Sequence, residues 1–192
     1  MKKSKQLLLA IILLLCCSCF CHARDVKVKS GSMPQFTDGQ TVNLKLDLST
    51  TTWDESRSLK RFFYVEYNED YFEDEMAGAF DRFVENLNKA LAEGFKEGMC
   101  PLKVVDGEAD YTVSVNITNF HDTREMWDRQ TDAYGEAEII DNATGEVVCV
   151  LELNCVSGVE IQDKAKGTID CMKNVGESIS NTMFYSKRKR KR

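Results

Sequence analysis

The chain has 192 residues, with 31 acidic against 25 basic side chains and a formal net charge of −6. That length accommodates one domain with a true hydrophobic core, and the acidic balance argues against nucleic acid as a partner. Beyond residue 23 there are four cysteines in no C-x2-C spacing and one histidine, so neither a zinc site nor a cofactor is expected.

In chain order, Lys2, Lys3 and Lys5 precede an apolar run over residues 7–17, and Cys21-His22-Ala23 follows. A basic start, a short oily stretch and a small residue at its end form the pattern of a secretory signal over 1–23. The run falls short of the ~20 apolar residues that a membrane-spanning helix needs. Two outcomes stay open. Cleavage after Ala23 releases a soluble chain; a lipoprotein-type cut at Cys19, which follows Ser18, anchors it to a membrane face. Once 1–23 is removed, 22 bases face 31 acids, a net −9. Six of those bases are Lys187, Arg188, Lys189, Arg190, Lys191 and Arg192, which form a basic tail over 186–192 suited to anionic surfaces. Without them the body stands at 16 bases against 31 acids, or −15. Behind an export signal, Cys100, Cys149, Cys155 and Cys171 are candidates for two disulfides of open connectivity; burial as small apolar groups is the alternative.

Residues 24–40 are polar and turn-rich, and read as a leader into a single domain over 41–185. Val42, Leu44, Leu46 and Leu48 alternate with polar residues, the period of a half-buried strand. The stretch over 49–70 is ambiguous, with Trp53 in a loop and a short element around residues 62–67. Phe72, Met76, Phe80, Phe83, Val84, Leu87, Leu91 and Phe95 then step by three and four. This is the core stripe of a helix over 71–95, with Gly94 and Gly98 marking its end. Tyr111, Val113, Val115 and Ile117 share one face of a strand whose other face is polar, so the sheet is covered on one side. Ala133, Gly135, Ala137 and Ile139 run into a turn over 141–145, and Val147, Cys149, Leu151 and Leu153 run out of it, as a hairpin. The small residues at 133–137 predict a helix close against that strand. Ile169, Met172, Val175, Ile179 and Met183 mark a closing helix. The sum is an α+β two-layer sandwich: an antiparallel-rich sheet of about four strands, with a long helix and a C-terminal helix on one face.

The order of elements resembles a group of exported bacterial envelope domains: the CsgG-like and LpoB-like lipoproteins and the N-terminal domain of TolB. The residues that carry the resemblance are Leu87, Ala90, Leu91, Gly94 and Phe95 at the helix end, Ala109-Asp110 before a strand, and Asp141, Thr144 and Gly145 in the hairpin turn. The likeness spans about residues 41–185 and is closer still to secreted proteins of Bacteroidales-type bacteria. It implies a noncatalytic role at the periplasm or outer-membrane face: binding another envelope protein or envelope polymer, or supporting an assembly.

Residues 121–130 read as a solvated loop between strands, with Trp127 folded onto the core. His121, Arg124 and Trp127 are its weak ligand-binding candidates. A small secreted enzyme with His121 as a base oriented by Asp122 is the alternative function, but neighbours in sequence seldom face each other. Glu136 and Glu138 lie on the outward strand face, without the shielding that a glycosidase acid needs. Asn116 and Asn142 begin glycosylation sequons, which matter only for a third reading, a eukaryotic secreted glycoprotein. The expectation is a binding or assembly-accessory module, not an enzyme.

Overall fold

The structure, a computed structural model, describes residues 25–67, 78–125, 128–160 and 164–186. The signal expected over residues 1–23 with Cys19, the basic residues 187–192, Trp127 and the first part of the helix expected over 71–95 lie outside those residues. The described chain forms eight strands: β1 (Asp25–Gly31), β2 (Thr41–Asp47), β3 (Thr52–Trp53), β4 (Arg57–Ser58), β5 (Lys103–Val104), β6 (Tyr111–Glu125), β7 (Asp128–Asp141) and β8 (Glu146–Glu160). Three helices accompany them: α1 (Leu59–Tyr67), α2 (Ala79–Glu97) and α3 (Lys164–Tyr185).

The α+β class stands, but the sheet has eight strands rather than about four. Its order is β1-β8-β7-β6-β2-β5, and the β3–β4 pair is added beside β6. Pairing is antiparallel from β1 through β6, whereas β2 runs parallel to β6 and β5 parallel to β2. The shortfall has two sources. Strands of two residues carry no readable period, and β1 arises from the segment read as a polar leader over 24–40. Its alternation is confined to Val26 and Val28, because an edge strand buries little.

Val113, Val115, Ile117, Ala137, Ile139, Cys149, Leu151 and Leu153 are buried at 2% exposure or less, on the sheet face covered by α2 and α3. The uncovered face carries Lys27, Glu152, Glu136, Asn116 and Asp47 in one row across β1, β8, β7, β6 and β2. One covered face is what the polar alternation predicts.

β6, β7 and β8 run for 15, 14 and 15 residues. The loop expected over 121–130 is therefore mostly strand: Phe120 to Glu125 pairs with Ala133 to Asp128. Paired main-chain groups let polar residues such as those of 121–125 sit in a ladder without a hydrophobic period. Val147 also departs from the reading. It is 48% exposed, because the register shifts between Ile139 and Ile140 and turns it off the core face.

The ambiguous stretch after β2 forms a small aromatic core of its own. Trp53 stacks on Phe62 with ring centroids 3.5 Å apart, and Phe120 lies 6.1 Å from Trp53. Each such buried side chain contributes roughly 1.5–3 kcal/mol. Phe63 joins this unit to α2 through Phe83, 5.0 Å between centroids.

Gly94, read as a helix end, lies inside α2 and is buried against α3. Gly135 is small for a different reason from the one expected: a Cβ there would stand 2.9 Å from Ile117 Cα of the neighbouring strand, next to the bulge between Ile117 and Asn119. The helix expected against β7 is α3, which packs on β7 and β8.

Candidate functional site

Three polar constellations stand out. The first joins the two motifs behind the envelope-domain resemblance. Asp110 accepts hydrogen bonds from Thr41 N (2.7 Å) and Thr41 Oγ1 (2.8 Å), tying the start of β2 to the start of β6. Asn142 N donates to Asp110 O (3.0 Å), and Asn142 Nδ2 donates to Ala109 O (2.8 Å). The turn is closed by Ala143 N on Asp141 Oδ1 (2.9 Å) and by Gly145 at φ +73°. The Thr41 donors hold the Asp110 carboxyl below its ordinary pKa. This is a clip between strand ends; its residues bond one another.

The second constellation surrounds His121. Its Nδ1 lies 2.8 Å from Asp54 Oδ1, and that oxygen also accepts Asp122 N at 3.1 Å. Asp54 and Glu55 adopt φ of +50° and +57°, unusual for residues with side chains. Hydrogen bonds from Asp54 N to Phe120 O (2.8 Å) and from Glu55 N to Asn119 Oδ1 (3.1 Å) hold this turn against β6. The partner that orients His121 is thus Asp54, 67 positions away, and not Asp122. Asp132, directly across the ladder from His121, is 3% exposed. It accepts Thr123 Oγ1 (2.7 Å) and Ser157 Oγ (2.5 Å). His121 itself is exposed. Arg124 stands opposite Arg129 in the β6–β7 register. The hydroxyls here are spent on Asp132, so the group reads as a polar tie between strands.

The third constellation escaped sequence reasoning. β1 ends the sheet, and among the described residues it pairs only with β8. Between it and the last turns of α3 runs a groove of about 550 Å³, lined by Val26, Lys27, Val28, Ser178, Asn181, Thr182, Tyr185 and Ser186. Val28 and Tyr185 are 43% and 46% exposed, large apolar groups open to solvent. Thr182 Oγ1 donates to Val26 O at 3.4 Å, so that carbonyl points away from β8 and toward the helix. By the period of two, the N–H and C=O of Val28 point the same way. Ser178 is 4% exposed, and its Oγ has no hydrogen-bond partner among the described residues. A buried hydroxyl with no acceptor or donor costs about 1–3 kcal/mol. Ser178 is one of the residues that line the groove.

Cys149 is buried with a free thiol, whose pKa burial raises. Cys171 Sγ donates to Val156 O at 2.8 Å. Cys149 fills the core as a small apolar group, the alternative to a disulfide. Cys155 stands on β8, and Cys100 is half-buried after α2. Among the described residues no cluster of His, Cys, Asp and Glu is arranged to hold a metal ion, and no helix is long and apolar enough to cross a membrane.

No protein-family model and no curated protein matches the chain. Among solved structures it is similar to PelC from Paraburkholderia phytofirmans, seen there as a dodecamer, at 15% identity and a TM-score of 0.45 over 82% of this chain and 97% of that one. Protein XCC0632 from Xanthomonas campestris, of family DUF330, aligns at 6% identity and TM-score 0.40 over 85% and 93%. A neuraminyllactose-binding hemagglutinin homolog from Helicobacter pylori aligns at 8% and 0.30 over 84% and 90%.

Proposed function

We propose that this chain is a noncatalytic, exported envelope protein that acts as a binding or assembly-accessory module, with the groove between β1 and α3 as its binding surface. The observation that carries this reading is the groove's composition. It combines exposed Val28 and Tyr185 with a strand edge and a buried Ser178 hydroxyl that have no partner among the described residues. Apolar surface beside unsatisfied polar groups is what a partner covers. The partner on this reading is another envelope protein or envelope polymer. The basic residues 187–192, which follow Ser186 at the groove's rim, add attraction to anionic surfaces, including membranes.

The test is site-specific photocrosslinking in the native cells. A photoreactive residue at Val28 or Tyr185 is expected to give a discrete adduct, and one at Lys89 on α2 none. Absence of adducts at both groove positions, together with a turnover that His121→Ala abolishes, would reverse the reading in favour of a small secreted enzyme. Removing residues 187–192 is expected to reduce binding to anionic liposomes at low salt; unchanged binding would sink the membrane part alone.

A further inference from the structure

We draw no further inference here: the strongest candidate, the occupant of the groove between the edge strand β1 and the last turns of α3, belongs to the surface already proposed above, and nothing in the described residues shows what covers it.

Discussion

Gly94 of α2 and Lys173 of α3 approach so closely that a Cβ on Gly94 would stand 2.7 Å from the carbonyl carbon of Lys173. Gly176 repeats the relation from the other helix, since its Cβ would stand 2.8 Å from Phe95 N. The two glycines set the spacing of the helix pair, and Lys173 Nζ closes its rim on Glu97 Oε1 at 2.7 Å. Gly94→Ala and Gly176→Ala are each expected to destabilise the fold by about 2–3 kcal/mol in urea unfolding, although alanine favours an isolated helix by about 1 kcal/mol. Gly39 has φ of +93° but nothing within 4 Å of its Cβ site, so Gly39→Ala should cost only about 1–2 kcal/mol.

Ser178 and Ser180 are both buried in α3, yet opposite outcomes are expected. Ser180 Oγ accepts Cys100 N at 3.0 Å, and Ser180→Ala should cost about 1–2 kcal/mol. Ser178→Ala removes a buried hydroxyl that has no partner among the described residues, so thermal unfolding should show unchanged or slightly raised stability. A clear loss of stability at Ser178 would mean that its hydroxyl is satisfied within the domain.

Asp132→Ala strips the acceptor from Thr123 and Ser157 at a buried position, with an expected loss of about 2–3 kcal/mol. Asp132→Asn keeps one acceptor oxygen and the shape, so it should lose less. Unfolding curves of both variants, compared with Thr123→Val, check whether the three groups act as one unit.

Asp110 makes stability depend on pH. Its folded pKa is depressed, so its contribution is present above the ordinary carboxylate range and disappears as the pH falls through the lower folded value. Asp110→Asn is expected to melt below the parent chain at pH 7, and the gap should close as the pH falls from about 4. A gap that persists undiminished in acid would show that the amide disrupts the clip by shape and not by charge.

His121→Ala should cost no more than about 1 kcal/mol, because its hydrogen-bonded contact with Asp54 is partly solvated. A larger loss in differential melting would point to a further role for the ring in holding the strained Asp54–Glu55 turn.

Elements with a strong period were legible from residues alone. The stripes Phe83-Leu87-Leu91 and Met172-Val175-Ile179-Met183 became the buried faces of α2 and α3, and Val113-Val115-Ile117 that of β6. Such patterns are local, since each repeat records which side of one element meets the core. The hairpin turn at 141–145 was legible for the same reason: its residue types answer a local backbone demand. The groove was not legible. Val26, Val28, Ser178 and Tyr185 are ordinary in sequence, and no local rule distinguishes an edge strand from a polar leader.

Sequence by itself determined the α+β class, the single covered face of the sheet and the helix stripes, because hydrophobic periodicity is written along one stretch of chain. Only tertiary structure decided that residues 25–31 close the sheet, that His121 meets Asp54, and that Gly94 and Gly176 are helix contacts. Each of these is a meeting of segments far apart in the chain, and such a meeting is set by register and packing distance, which no single segment encodes.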